Sequence, residues 1–374
     1  MAKNRVIYQS EALYAGPSPA TGAHVDGTVK ELQRVQNANY SFNIDRQDVN
    51  QFGELAAIDR IILSAPTVSL DFQYLLANFV NESRLGFTMS TVVSNNISYV
   101  SCISGILNKT QDERNYFIRT VAEGSDAKNV LSGAATQSTI GIGNAFLTSY
   151  SAEASVGNFP TVSIAVEALN MKVDNTVTGF GGLGNTIPAV NPTDGASSTQ
   201  TYKLPTFTGQ AGIDSVSVLR PGDITFSLVK NADTALPGDY FGASVSDAKI
   251  QSFNLAFDLS RTPIEKLGSK FAFSREIDFP VEVTFSIDAL VGDLSTGSLT
   301  EIVNMDSNYD LTVNVKHPTT AATQIHYHIK KAKLTSQEFS SSIGDNKNVS
   351  LSWTAQIGGP GQADVGLFMS GVST

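Results

Sequence analysis

The chain has 374 residues, and 41% of them are hydrophobic, which is enough for two ordinary domains with buried cores. Its 35 acidic and 25 basic residues give a net charge of −10. This balance argues against a surface that grips nucleic acid, but it is compatible with a surface past which nucleic acid slides. The single cysteine, Cys102, excludes an internal disulfide and predicts folding in a reducing cytoplasm.

The N-terminal residues 1–35 show little periodic order and contain a cluster of Pro and Gly at residues 16–22. We interpret them as an extended arm with one strand at residues 5–8. They lack the apolar core of a signal peptide, and no apolar run in the sequence is long enough to span a bilayer. The sequence therefore predicts a soluble protein that is not exported and has no membrane association.

Alternation of apolar and polar side chains predicts strands through the first half of the chain, at residues 40–46, 61–63, 68–76 and 115–122. Between the first two strands, residues 49–60 fit either a short helix or a loop. The first half is therefore expected to be rich in strands.

Residues 145–168 carry the clearest pattern in this half. Val162, Ile164 and Val166 alternate with polar or small residues, and they follow a turn at Gly157. We predict two strands joined by a reversal, with one face buried and the other facing water.

Residues 175–212 are rich in Gly, Pro, Thr, Ser and Asn, which predicts a linker or a long surface excursion. Beyond this segment, further strands are predicted at residues 216–219, 224–229, 249–259, 281–289, 309–315, 324–330 and 349–356. Helical periodicity is sparse. The predicted fold is all-β, with two tandem domains of barrel or sandwich type.

Two blocks of sequence recur in the same order, which predicts an internal duplication. Residues 145–168 return as 332–355 at an offset of 187 (332 minus 145), with nine identities in 24 positions. Residues 36–53 return as 251–268 at an offset of 215 (251 minus 36), after which we infer the loss of one residue. Two blocks in the same order argue against chance.

The alignment assigns 27 additional residues (214 minus 187) to the first copy, and we place them at residues 90–139. The predicted domains are residues 1–174, which include the N-terminal arm, and residues 213–374. Residues 175–212 form the predicted Gly-, Pro- and Thr-rich linker between them.

The sequence contains no GxSxG elbow, no GxxxxGK[ST] loop, no HExxH and no paired-cysteine zinc spacing. His326 and His328 could chelate a metal, but no cysteine or carboxylate motif accompanies them, so we interpret them as a structural or surface pair. Lys330, Lys331 and Lys333 fit a solvated strand face or a salt-bridging subunit contact. We predict no enzyme activity, no cofactor and no metal site.

Two arginines are retained between the copies, since Arg46 recurs as Arg261 and Arg60 recurs as Arg275. An arginine buried without a partner would be costly, so we predict that each one pairs with a carboxylate at a subunit interface. The alternative is a set of surface charges retained by chance.

Four segments resemble the tail tube proteins of long-tailed bacteriophages, namely residues 5–22 (RVIYQSEALYAGPSPATG), 113–127 (ERNYFIRTVAEGSDA), 151–170 and 340–359. The last two contain the strand, Gly turn and strand of the repeated hairpin. The resemblance covers most of residues 32–359.

This resemblance implies a β-barrel or sandwich unit whose sheet joins those of neighbouring subunits into a ring. Stacked rings would form a hollow tube with an acidic lumen, through which the genome passes during ejection without specific binding. Two tube units per chain would give three chains per ring, with pseudo-sixfold symmetry. The partners would be further copies of the chain and other tail proteins, assembled in the host cytoplasm into the virion tail.

Two other classes remain open from the sequence. A tail-tip, decoration or receptor-binding module would use the Gly- and Thr-rich segment as a binding surface; aromatic residues clustered in loops would favour this class, and Phe180 and Tyr202 are too few to do so. A hydrolase on a β-scaffold would need a pair of carboxylates, and nothing in the sequence brings two of them together. Assembly is favoured independently of the resemblance, because closing strands around a ring removes exposed sheet edges.

Overall fold

The structure is a computed structural model. It describes residues 6–7, 11–17, 28–93, 96–108, 112–123, 126–128, 137–174, 185–191, 196, 200–202, 204–205, 218–230, 249–269, 271–272, 274–290, 308–317, 323–340 and 348–371. The fold is all-β, as predicted, and strands account for most of the described residues.

The strands follow one another from near the N-terminus to the last described residues. They are β1 (Glu11–Pro17), β2 (Lys30–Glu31), β3 (Val35–Asn43), β4 (Arg46–Val49), β5 (Asp59–Ile62), β6 (Thr67–Leu75), β7 (Thr91–Val93), β8 (Asn96–Ser98), β9 (Arg114–Val121), β10 (Gln137–Ser155), β11 (Thr161–Ala168), β12 (Asn170–Asp174), β13 (Asn185–Thr186), β14 (Thr201–Tyr202), β15 (Ile224–Lys230), β16 (Lys249–Asp258), β17 (Arg261–Ile264), β18 (Ser274–Ile277), β19 (Glu282–Leu290), β20 (Tyr309–Lys316), β21 (Thr323–Ser340), β22 (Asn348–Gln356) and β23 (Gly366–Gly371). The helices are α1 (Val80–Leu85) and α2 (Ser104–Leu107), with a 3-10 turn at Pro221–Asp223.

Eight of these strands form a central antiparallel sheet in the order β21-β22-β19-β16-β10-β11-β6-β3. Two further sheets pack on one of its faces, namely β1-β9-β10-β12 with β2 on β1, and β15-β20-β21-β23. The long strands β10 and β21 each belong to two sheets, because each bends partway along its length. The hydrophobic core lies between the central sheet and the two outer sheets.

The core-facing positions of the central sheet alternate with outward-facing ones, as the period of two requires. On β6, Val68, Leu70, Phe72 and Tyr74 are at most 2% exposed, whereas the residues between them are partly or fully exposed. The burial of these apolar side chains stabilises the fold by about 25 cal/mol for each Å² removed from water. A single apolar cluster contains residues from both halves of the chain.

A buried polar network also joins the two halves. The carboxylate Oε1 of Glu82 on α1 accepts hydrogen bonds from the hydroxyls of Tyr74 (2.8 Å) and Tyr150 (3.2 Å). The Tyr150 hydroxyl also lies 2.7 Å from that of Tyr327, which belongs to β21 in the second half. Burial raises the pKa of Glu82 to about 7, and the tyrosine hydrogen bonds oppose this shift.

The strands of the two halves have matching connections and matching registers. In the β10–β11 hairpin Ser151 pairs with Ser163, and at the same offset of 187 Glu338 pairs with Ser350 in the β21–β22 hairpin. Each long strand bends next to a residue with positive φ, Asn144 (52°) in β10 and its counterpart at the same offset, Lys331 (56°), in β21. These correspondences support the predicted duplication, and the domain boundaries stay a prediction.

The register corrects one detail of the sequence alignment. The inferred loss of one residue before β19 is wrong, because Phe42 pairs with Val68 while Phe257 pairs with Val283. Both strands keep the offset of 215, so the first copy has 28 additional residues (215 minus 187) and not 27. A shift of one residue would place the core-facing side chain of Phe72 over an outward-facing position of β19.

Two segments of the first half differ from their sequence interpretation. The N-terminal arm contains a buried strand, because β1 pairs along its whole length with β9 and buries Leu13, Tyr14 and Ala15. Residues 49–60, predicted as a helix or loop, form the end of β4, the start of β5 and the loop 50–58 that joins these strands into a hairpin, with Gly53 in the loop at a φ of 94°. Of the strand predicted at residues 5–8, residues 6–7 are described and are not part of a strand, and residues 5 and 8 lie outside the described residues.

The described parts of the predicted linker pack against the first half of the chain. Ile187 and Tyr202 are buried, and the Tyr202 ring stacks on Phe117 of β9 with the centroids 4.2 Å apart. A Cβ at Gly143 of β10 would lie 2.5 Å from the backbone nitrogen of Ala189, so this close approach requires glycine. The Gly-rich run at residues 181–184 lies outside the described residues.

Candidate assembly interface

The two halves meet in the central sheet where β16 pairs with β10. Seven residue pairs form this joint, from Ser149 opposite Asp258 to Ser155 opposite Ser252. One backbone hydrogen bond lies beyond each end of the ladder. The N–H of Leu259 donates to the carbonyl of Thr148 (2.7 Å), and the N–H of Val156 donates to the carbonyl of Gln251 (2.9 Å). The joint is thus a continuous antiparallel ladder.

Apolar side chains fill the core side of this in-chain joint. Leu255 and Phe257 of β16 are 0% and 2% exposed, and Tyr150 and Ala152 opposite them are also buried. The rings of Tyr150 and Phe257 stack with their centroids 5.3 Å apart. Such aromatic pairs contribute about 1 kcal/mol beyond the area that they bury.

The hairpin β17–β18 extends from the second half onto the first half beside this joint. The Arg261 guanidinium forms an ion pair with Asp112, with Nη2 and Oδ1 2.5 Å apart, and lies over the Phe146 ring at 4.9 Å. Arg275 forms a second ion pair, 2.5 Å from Nη1 to Oε1 of Glu167 on β11. The two arginine side chains are only 4% and 9% exposed. These predicted residues therefore bind carboxylates of the other half of the same chain.

The corresponding arginines of the first half have a different environment. Arg60 pairs with Asp48 inside the hairpin β4–β5, at 2.5 Å, and these side chains are 70% and 43% exposed. The hydrogen bond from Arg60 lowers the pKa of Asp48. Arg46 is exposed and forms no ion pair within the described part of the chain. Of the four predicted interface arginines, Arg261 and Arg275 are therefore buried against the other half of the chain, whereas Arg46 and Arg60 are exposed to solvent.

The apolar residues of the hairpin β4–β5 are also exposed. Phe52 and Leu55 in its loop are fully exposed, and Ile61 and Ile62 on β5 are 44% and 45% exposed. Leu267 has the same fully exposed position in the loop of β17–β18. Exposed large apolar side chains in such numbers are typical of a contact surface.

In the part of the chain that the structure describes, both ends of the central sheet have an open edge. Among the described strands, β3 pairs only with β6, and residues 336–340 of β21 pair only with β22. The apolar side chains along these edges are correspondingly exposed, with Tyr40 at 37%, Phe42 at 36% and Phe339 at 47%. An open edge of this length invites pairing with another chain.

The outward face of the central sheet is polar and acidic. Its strands carry mainly Ser, Thr and Asn at the outward positions, together with seven carboxylates: Asp71, Glu153, Glu167, Asp258, Glu282, Asp288 and Glu338. Of the described side chains that the strands of the central sheet carry on this face, Lys333 near one end is the only basic one, and Glu167 is paired with Arg275 of the hairpin β17–β18. Sequence alternation alone could have identified this face, because its members occupy the polar positions of each predicted strand.

Hydroxyl groups hold several of these carboxylates in place. Asp288 accepts hydrogen bonds from Ser252 and Ser350, each at 2.6 Å, and Glu153 accepts one from Thr161 at 3.1 Å. The Ser and Thr side chains along the strands thus position negative charge without adding positive charge.

The histidine pair lies on an outer sheet and its ring nitrogens have partners. His326 Nδ1 lies 2.9 Å from the Ser370 hydroxyl, and His328 Nδ1 lies 2.9 Å from the Tyr99 hydroxyl. Burial, with the neighbouring charges of His326 and Lys330, lowers the pKa of His328 to about 3. Within the described ranges no group of three or more potential metal ligands occurs. This arrangement fits a neutral structural pair.

The predicted lysine cluster contacts the end of the chain. Lys331 forms an ion pair with Asp364 at 2.6 Å, and the Lys330 ammonium lies 3.5 Å from the centroid of the Tyr99 ring. Lys330 and Lys331 therefore have partners inside the same chain. None of the helices that the structure describes is long and apolar enough to cross a bilayer.

Comparisons with known proteins give little further information. No family model and no curated protein matches the chain. One solved structure that matches is a chain of the anti-feeding prophage baseplate, determined by cryo-EM with six-fold symmetry applied. It is 10% identical, with a TM-score of 0.29, and the match covers 46% of this chain and 98% of that chain. A TM-score this low is no basis for assigning a shared fold or function.

Proposed function

We propose that the chain is a structural subunit of a viral tail tube, in which three copies close into a ring and the rings stack into a hollow conduit for DNA. The observation that carries the proposal is the pair of open edges at the two ends of one central sheet. The chain already contains a joint of the kind that these edges would form, between β16 and β10. A head-to-tail contact of this kind closes into a ring when its rotation allows.

The dimensions of such a ring suit a DNA conduit. Three copies of the eight-stranded central sheet give a barrel of 24 strands. With strands about 4.8 Å apart and tilted by about 40°, the barrel is roughly 50 Å across, and side chains narrow the bore to about 35 Å. This bore is wider than a DNA double helix.

The chemistry of the outward face suits the lining of that bore. The outer sheets cover the opposite face of the central sheet, so ring closure with the outer sheets outside leaves the acidic face towards the lumen. Phosphates passing along a lining of carboxylates and hydroxyls would be repelled and would find few cations to bind. A conduit needs this property, because tight binding would slow the passage of the genome.

The test is the mass and shape of the purified chain. We expect light scattering to give three times the chain mass of 39.8 kDa, and negative-stain electron microscopy to show hollow rings or stacked tubes. A chain that stays monomeric at high concentration and forms no ring would overturn the proposal and favour a tail-tip or decoration module.

A further inference from the structure

We infer that neighbouring chains join by antiparallel pairing of β3 in one copy with residues 336–340 of β21 in the next, in the register of the in-chain joint. The inference rests on the proposed ring and specifies its interface. It commits to a second copy of this chain as the partner for both open edges.

The register follows from the correspondence of the two halves. Strand β10 corresponds to β21 at an offset of 187, and β3 corresponds to β16 at an offset of 215. The in-chain pair of Ser149 with Asp258 therefore becomes Ser336 (149 plus 187) with Asn43 (258 minus 215) between chains. The proposed pairs are Asn43 with Ser336, Phe42 with Gln337, Ser41 with Glu338, Tyr40 with Phe339 and Asn39 with Ser340.

This register buries the exposed apolar side chains of both edges. Tyr40 and Phe42 occupy the positions of Leu255 and Phe257, which are almost fully buried in the in-chain joint. Phe339 occupies the position of Ala152, and its larger side chain faces Tyr40 across the proposed joint. Apolar groups now at 36% to 47% exposure would thereby leave water.

Symmetric pairing of two identical edges is less suitable. Two copies of the β21 edge in antiparallel contact would bring Glu338 near its own copy, and like charges directly opposite one another are destabilising. It would also leave both β3 edges open. Pairing β3 with β21 satisfies both edges in every chain of a closed ring.

The same correspondence places the hairpin β4–β5 on the neighbouring chain. Arg60 takes the position of Arg275, and the residue corresponding to its partner Glu167 is Thr354 (167 plus 187). Arg46 takes the position of Arg261, whose guanidinium covers Phe146, and the corresponding residue is Lys333 (146 plus 187). The joint between chains therefore has the strand pairing of the in-chain joint without the Arg275–Glu167 ion pair.

A disulfide tests the register directly. Counting from the hydrogen-bonded pair of Leu259 and Thr148, the in-chain pair of Ala256 and Ser151 is a non-hydrogen-bonded pair. Its counterpart is Ser41 with Glu338, where Cβ atoms about 4.5–5.5 Å apart are close to the spacing a disulfide needs. Both side chains are exposed, whereas the native Cys102 is fully buried, and burial raises the pKa of its thiol.

The experiment compares S41C/E338C with the control N37C/E338C, whose cysteines would lie four residues, or about 13 Å, out of register. Mild oxidation of S41C/E338C should give disulfide-linked dimers and a closed trimer on a non-reducing gel, at least tenfold more than the control. Rings with equal or absent crosslinking in the two variants would overturn the register while leaving the proposed function intact. Absence of both rings and crosslinks would overturn the two together.

Discussion

The hairpins β17–β18 and β4–β5 have the same register and corresponding arginines, yet only β17–β18 packs against the other half of the chain. Arg261 pairs with Ile277 across the first hairpin, and Arg46 pairs with Ile62 across the second at the same offset of 215. In β17–β18, Arg275 forms an ion pair with Glu167 of the other half of the chain. In β4–β5, Arg60 forms an ion pair with Asp48 of the same hairpin. The hairpin is therefore a contact element whose environment depends on what lies beside it.

The largest effect on stability is expected from replacing Arg261, the buried arginine of β17–β18. Arg261→Ala leaves Asp112 without its partner in a largely buried site, which should lower the free energy of unfolding by about 4 kcal/mol. Arg46→Ala is the matched control and should change the stability of the unassembled chain by less than about 0.5 kcal/mol, because its side chain is exposed. Urea denaturation below the assembly concentration measures both. Equal losses would contradict the comparison.

The next effect concerns the buried network that joins the two halves. The folded-state pKa of Glu82 is raised from 4.5 to about 7, so its contribution to stability is full below the unfolded pKa and is lost as pH rises towards 7. The shift corresponds to about 3 kcal/mol. We therefore expect the unfolding free energy of the wild type, relative to that of Glu82→Gln, to fall by about this amount between pH 4.5 and pH 7.

The difference in unfolding free energy between the wild type and Glu82→Gln should be constant above pH 7. Both proteins are to be measured as unassembled chains. A difference that stays constant over the whole range would show that Glu82 is ionised in the folded protein, contrary to its fully buried position.

A smaller effect separates assembly from folding. Tyr40→Ala removes a side chain that is 37% exposed in the single chain, so it should change unfolding by less than about 1 kcal/mol. In the proposed joint the same side chain is buried, and its loss should weaken ring formation by about 2 kcal/mol, or roughly 30-fold in the association constant. Sedimentation at several concentrations measures this constant, and unchanged association would exclude Tyr40 from the joint.

The smallest expected effect is a gain in the strength of association between chains. Thr354→Glu supplies the carboxylate that Arg60 lacks on the proposed neighbouring chain, and should strengthen association by about 1 kcal/mol, or roughly fivefold. Thr354→Gln controls for size and should have little effect. The gain should shrink in high salt, because the pair lies near the surface. A loss of association with Glu would place Thr354 away from Arg60.

Sequence patterns predicted most strands but not the way in which they connect. The alternation in residues 162–168 identifies a strand with one buried face, and the structure confirms it as β11. The bends of β10 and β21, which allow each strand to belong to two sheets, depend on positive φ at Asn144 and Lys331, and neither residue type specifies that conformation. The buried strand β1 was missed because its apolar run is short and lies beside a cluster of Gly and Pro.

The arginine partners were equally inaccessible from the sequence. The retained charge identified Arg261 and Arg275 as residues in need of carboxylates, but Asp112 and Glu167 lie 149 and 108 residues away along the chain. Pairing at such separations depends on the tertiary arrangement, and no local pattern encodes it. The hairpins that present the arginines have few buried residues, and periodicity predicted only part of one of them, the strand at residues 61–63 that overlaps β5.

Cryo-electron microscopy of the assembled protein, at a resolution that separates strands, tests the central claim most directly. We expect a barrel of 24 strands from three chains, in which the joint of β3 with β21 superimposes on the joint of β16 with β10 and the acidic face lines the bore. An assembly whose chains meet through the outer sheets, with β3 and residues 336–340 still open to solvent, would contradict it.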